Sequence, residues 1–166
     1  IQVQSLMQKM MHLSKAKIVI GVSGGLDSAL ALLVAHQAIT RLNRDPKDII
    51  AVTMPSNVTS KATKSDAVML MNGLGVTSLT IPIGKMLDVH LKALLHEHKE
   101  DITYENAQAR IRTLNLMDIA NQQGGFVLGT GDMSEIALGW MTFNGDHMSM
   151  YDINAGLTKT WVQALI

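Results

Sequence analysis

The chain reads as an α/β protein with a doubly wound parallel sheet. Two observations point there. Four short β-rich runs alternate with longer helical patterns along the whole sequence, and that alternation implies parallel strands joined by right-handed crossovers. The segments richest in glycine and in acidic residues follow the ends of those runs, and in such sheets ligands bind beyond the carboxyl ends of the strands.

Taken in order, residues 1–14 form an amphipathic pattern in which Met7, Met10 and Met11 fall on helical spacing. The apolar run Ile18–Val22 is the first strand, and a helix opens near Ser28 with Ala29-Leu30-Ala31-Leu32-Leu33-Val34-Ala35. Asn43-Arg44-Asp45-Pro46 breaks that helix before a second strand over Ile49–Met54, which Pro55-Ser56-Asn57 ends. Thr59 and Ser60 offer caps for a helix over residues 61–74. Gly73 and Gly75 lead into a third strand, Ser78–Pro82, and a helical segment follows over residues 86–98. Thr103 offers a cap for a long helix from Tyr104 to Gln122, Gly124-Gly125 stop it, and Phe126–Gly129 is the fourth strand. Trp161 to Ile166 reads as an unfinished helix, so the single unit spanning 1–166 is expected to continue past its last residue.

Composition narrows the function. Basic and acidic residues balance at 14 each with no basic stripe interleaved with aromatics, which disfavours a nucleic-acid partner. The absence of cysteine excludes disulfides, thiolate metal sites and catalytic thiols within the chain. No apolar stretch approaches the roughly 20 residues that span a bilayer, and no export signal opens the chain, so a cytoplasmic protein is expected. The 12 methionines suit core filling. His96 and His98 lie in a charged stretch that suits a solvated helix end better than a metal site.

The chemistry starts at Ser23-Gly24-Gly25-Leu26-Asp27-Ser28. A strand feeding a glycine turn and then a helix collects unpaired backbone N–H groups and the positive end of a helix dipole at one spot, which suits phosphate. Gly24 and Gly25 let the backbone approach an anion, and Ser23 and Ser28 add hydroxyls. Neither G-x-x-x-x-G-K-[ST] nor G-x-G-x-x-G is present. Asp27 stands where a lysine would be expected, and a carboxylate beside phosphate implies a divalent cation, here magnesium. The plainer alternative is that Asp27 or Ser28 only caps the helix.

A second loop, Gly129-Thr130-Gly131-Asp132-Met133-Ser134-Glu135, follows the fourth strand and faces the first across the sheet edge. Thr130 offers a hydroxyl to a nucleotide, and Glu135 can join Asp27 around magnesium. Asp132 and Glu135 also match a capping box, and both roles can hold together. In the long helix, Asn106 and Arg110 share a face while Arg112 points elsewhere. An arginine fork suits a phosphate or carboxylate, and an ion pair such as Glu105 to Arg112 is the simpler account.

The first loop resembles the pyrophosphate loop of the ATP pyrophosphatase group. Together with Glu105–Arg112, Gly129–Trp140, Asn144-Gly145-Asp146 and Asn154–Thr160, it resembles the NAD synthetase family, in particular the synthetase portion of the glutamine-dependent form. The resemblance covers nearly the whole chain. It implies a Rossmann-like fold of the adenine nucleotide alpha hydrolase type. It also implies ATP-dependent amidation of deamido-NAD through an adenylated intermediate, with release of AMP and pyrophosphate. It places ATP on Gly21, Val22, Ser23, Gly24, Gly25, Leu26, Asp27, Ser28, Thr130 and Lys159, and deamido-NAD near Asn106, Arg110, Glu135, Trp140, Met141, Thr142 and Phe143. Magnesium is expected at Asp27 and Glu135, with Asp27 and Lys159 as the catalytic pair. Ammonia, free or from a glutaminase domain of a longer protein, is the implied nitrogen donor, and a homodimer or higher homo-oligomer the implied assembly. Other readings are a GMP synthetase-type ligase and an inactive nucleotide-binding fragment.

Overall fold

A computed structural model describes residues 1–56, 61–97 and 99–166, of which residues 61–65 are described by their backbone alone. Thr59, Ser60 and His98 lie outside the described residues. The helices are α1 (Gln2–His12), α2 (Leu26–Arg41), α3 (Lys61–Gly73), α4 (Gly84–Ala93), α5 (Ile102–Gln123), α6 (Met133–Leu138) and α7 (Lys159–Leu165). The strands are β1 (Lys17–Gly21), β2 (Ile49–Thr53), β3 (Thr77–Thr80), β4 (Gly125–Gly129) and β5 (Tyr151–Asp152).

All five strands are parallel, in the order β3-β2-β1-β4-β5. The chain builds outward from β1 to β3, then crosses back over β1 to place β4 on its other side. The carboxyl ends of β1 and β4 are therefore a switch point, where the following loops diverge and leave a crevice. Period-2 alternation divides each central strand between two cores. Ile18, Ile20, Ile49, Ala51, Phe126 and Leu128 face α1, α2, α3 and α7, packing with Leu6, Met10, Leu32, Ile39, Met71 and Val162. Val19, Ile50, Val52 and Val127 face α4 and α5, packing with Leu87, Leu91 and Ile111.

Three details differ from the sequence reading. The sheet has a fifth strand, too short to show any periodicity. The helix after β3 ends at Ala93 rather than running to residue 98, because Leu95 turns the backbone to a φ of +56°. The cap of α5 is Asp101, not Thr103: its carboxylate accepts from Thr103 N at 2.9 Å and Tyr104 N at 3.0 Å. Those N–H groups, with the His96 ring, hold the Asp101 carboxyl below its ordinary pKa.

Candidate functional site

The first loop assembles from its own serines. Ser28 Oγ donates to Gly25 O at 3.0 Å, and Ser23 Oγ accepts from Gly25 N at 3.1 Å. Gly24 carries the turn at φ +92°, a conformation that a Cβ would strain. Gly25 occupies the cap position of α2 and has no side chain to satisfy the first-turn N–H groups. Asp27 does not cap: its carboxylate instead reaches Lys159.

The second loop builds the other wall. Asp132 and Glu135 form a complete capping box on α6, with Glu135 N donating to Asp132 Oδ1 at 2.9 Å and Asp132 N to Glu135 Oε2 at 3.1 Å. Each carboxylate spends one oxygen on the cap and turns the other inward. Lys159, the first residue of α7, is steered there by Thr158 as its cap and by Lys159 N donating to Ser134 Oγ at 3.1 Å.

The two loops meet at that ammonium. Lys159 Nζ lies 2.6 Å from Asp27 Oδ2, 2.7 Å from Asp132 Oδ2 and 3.3 Å from Glu135 Oε1. Burial acts against its charge, but the three carboxylates prevail and push its pKa up. Burial likewise raises the Asp132 carboxyl, and its bonds to Lys159 and to Glu135 N outweigh that, leaving it below the usual range. Asp152, behind Gly131, has no such partner: burial, with Glu135 and Asp132 nearby, raises it to about 6.

Carboxylate oxygens of Asp27, Asp132 and Glu135 lie within 4.8 Å of one another. Three acids against one ammonium leave the cluster short of positive charge, and Asp27 Oδ1 is buried with no hydrogen-bond partner. An all-oxygen set with an unused buried carboxylate oxygen fits a hard divalent cation such as Mg²⁺.

A cleft of about 660 Å³ opens beside this cluster, reached by Asp27 and Glu135 but not lined by Asp132 or Lys159, and its size is within the range of small-molecule sites. Of the expected site residues, Gly21, Val22, Ser23, Asp27, Ser28, Thr130, Glu135 and Thr142 line it. Gly24, Gly25 and Leu26 do not line it, and Gly25 and Leu26 are exposed. Asn106 and Arg110 do not line the cleft but tie the segment after α6 to α5: Thr142 Oγ1 donates to Asn106 Oδ1 at 2.9 Å, and Arg110 Nε to Phe143 O at 3.2 Å. Trp140 and Phe143 project outward at 79% and 73% exposure. Phe143 stacks on His147, with ring centroids 5.3 Å apart, and Met141 is half-buried beside Gly131.

The helix face set aside in the sequence reading is the one that meets the cleft. Arg112 lines it, donating to Met54 O at 3.3 Å and Gln108 Oε1 at 3.4 Å rather than pairing closely with Glu105. Burial lowers its pKa, while Glu105 and Asp146 support its charge through space. Asp146 also lines the cleft. Asp132 was legible only as a cap, since the capping box fully accounts for its pattern.

Fold and site together define a doubly wound parallel α/β domain with a glycine loop and an acidic cluster at the switch point. The chain belongs to the NAD synthase family, whose sequence model matches residues 2–166. It is 51% identical over its whole length to the glutamine-dependent NAD(+) synthetase of Mycobacterium leprae, and spans 25% of that protein. It is 39% identical, over 87% of its length, to the Thermotoga maritima enzyme of the same name, again spanning 25% of it. Among solved structures it is similar to the glutamine-dependent NAD+ synthetase of Acinetobacter baumannii in complex with ADP, with a TM-score of 0.91 and 31% identity over 99% of this chain and 31% of that one. It is also similar to the NH3-dependent NAD synthetase of Campylobacter jejuni, with a TM-score of 0.88 and 29% identity over 99% of this chain and 68% of that one. The chain thus spans about a quarter of the length of the curated relatives. Among the described residues, no helix is long and apolar enough to cross a membrane.

Proposed function

We propose that the chain is the ATP-using portion of a cytoplasmic NAD synthetase, forming one domain. The reaction converts deamido-NAD to NAD. The nicotinate carboxylate attacks the α-phosphorus of ATP, the bond to the β-phosphate oxygen breaks, and pyrophosphate leaves. Ammonia then attacks the adenylated carbonyl carbon, a proton is lost from nitrogen, and AMP departs. The observation that carries this reading is the Lys159 ammonium among Asp27, Asp132 and Glu135 at the mouth of the glycine loop.

In this reading the loop Gly21–Ser28 and the start of α2 cradle the phosphates, and Thr130 supplies a hydroxyl. Lys159 holds positive charge where pyrophosphate gains negative charge. Asp27 and Glu135 hold magnesium, which when bound neutralises the leaving phosphates. Asn106, Arg110, Glu135 and residues 140–143 form the deamido-NAD side. The outward Trp140 and Phe143 suit a ring or a second subunit, consistent with a homo-oligomer. Relatives include both glutamine-dependent and NH3-dependent enzymes, so in this reading ammonia reaches the site free or from a glutaminase domain.

The test is NAD formation from deamido-NAD, ATP, Mg²⁺ and ammonium, with AMP and pyrophosphate assayed alongside. Turnover is expected to need all four. Asp27→Ala should lower it by about a hundredfold or more, and unchanged turnover in that variant would overturn the metal role.

A further inference from the structure

Asn154 is a fully buried polar residue just beyond β5, and none of the roles above uses its side chain. That side chain bridges the two loops. Its Nδ2 donates to Asp27 O at 3.0 Å and to Thr130 O at 3.2 Å. The first carbonyl belongs to the opening turn of α2, the second to the loop that leads into α6. One amide thus ties the two loops together.

Its orientation is fixed from outside the site. Gln2 Nε2, in the first turn of α1, donates to Asn154 Oδ1 at 2.9 Å and to Ile153 O at 2.9 Å. With Oδ1 facing that donor, both hydrogens of Nδ2 point at the two carbonyls. The flipped amide would set oxygen against two oxygens and NH₂ against NH₂, so only one orientation satisfies every group. A buried, fully satisfied polar network of this kind rigidifies its surroundings. The backbone N–H of Asn154 also steadies the Asp152 carboxylate.

We propose that Asn154 is a positioning residue that sets the separation of the Asp27 loop from the Thr130–Glu135 loop, and that Gln2 of α1 holds its amide in the working orientation. The nucleotide part of this inference rests on the ATP-using reading above. The spacing part does not.

The experiment compares Gln2→Met, Asn154→Leu, the double variant and Ser5→Ala in the chain described here. Gln2→Met keeps side-chain length, and Ser5 lies on the same helix and bonds Tyr151 rather than Asn154. The first readout is hydrogen exchange at the amides of Ala29, Glu135 and Ile136, which are bonded at the two helix starts. The second is calorimetric affinity for Mg-ATP. Gln2→Met is expected to speed exchange at these amides severalfold and to weaken Mg-ATP severalfold. Asn154→Leu should do both by tenfold or more. The double variant should be no worse than Asn154→Leu alone, because Gln2 acts through Asn154. Ser5→Ala should change neither readout.

Exchange that rises equally in the β1–β2 amides would mean general loosening and overturn the proposal. So would unchanged helix-start amides in Gln2→Met, or a Ser5→Ala effect as large as that of Gln2→Met. An unmodified chain that fails to bind Mg-ATP while the helix-start amides still respond would remove the ATP-using reading and leave the spacing role standing.

Discussion

Replacing Lys159 by Met tests the electrostatics of the site most directly, because one ammonium serves three carboxylates at 2.6, 2.7 and 3.3 Å. The lysine side chain is 39% exposed, so the contacts are weighed at the dielectric of water. They then amount to about 1.3–1.6 kcal/mol each, and to about 4.4 kcal/mol together. Freeing an ordered lysine side chain returns up to about 2 kcal/mol of entropy. The net cost of Lys159→Met is therefore about 2–3 kcal/mol, or a fall in Tm of roughly 5–10 °C for a chain of this size. Lys159 is raised from its ordinary 10.5, so its contribution is complete below that pH and fades as pH climbs through the raised value. Asp132 is lowered from 3.8, so its share is present above that pH and is lost as pH falls through the lowered value. The gap between the two proteins should thus be flat near neutrality and close in strong acid. Magnesium supplies the decisive measurement. At a hundred times its Kd a bound ion adds about 2.7 kcal/mol, and three unneutralised carboxylates should hold it more tightly than three shared with a lysine. Thermal unfolding with and without MgCl₂ should show a larger Mg²⁺-induced rise in Lys159→Met than in the unmodified chain. An equal or smaller rise would refute the assignment of these acids as a cation site.

Two further perturbations follow from the same geometry. Asp152, raised from 3.8 to about 6, binds its proton more tightly in the folded chain, so stability falls by about 2–3 kcal/mol as pH rises through that interval. Asp152→Asn should therefore stabilise the protein to urea at pH 8 and scarcely at pH 4; an equal effect at both would remove burial as the cause. A Cβ on Gly129 would lie 2.5 Å from Ser149 Oγ and 2.7 Å from Ser149 Cβ. Gly129→Ala should cost about 1–3 kcal/mol, and adding Ser149→Gly should recover part of it in the same unfolding assay.

The parts legible in the sequence are those where local pattern and tertiary role coincide. Ile18–Val22 and Ala29–Ala35 are apolar runs long enough to declare strand and helix, and the loop between them carries its chemistry in its composition. β5 has two residues, and no period can be read from two. Leu95 ended α4 through a positive φ that leucine rarely adopts, so nothing in its identity announced the turn. In the site, Asp27 and Glu135 stood out through their loops. Asp132 was hidden behind a capping pattern that was also real. Arg112 and Arg110 differ by 200° around an ideal helix, and only the packing of α5 on the sheet decides which one faces the cleft. Asn154 lies in a segment that carries the resemblance, but its bridging role has no local signal, because its partners lie 24, 127 and 152 positions away.

Asp27 and its ammonium partner are separated by 132 positions, which orders events as the chain is made. Asp27, Asp132 and Glu135 are all synthesised before Lys159, so the neutralising charge is the last of the four to emerge. Contacts of such long separation form late because their loop entropy must be met first. The last helix, seated by the fully buried Val162, brings the neutralising charge. Docking of α7 is thus the step that brings the ammonium to the three acids.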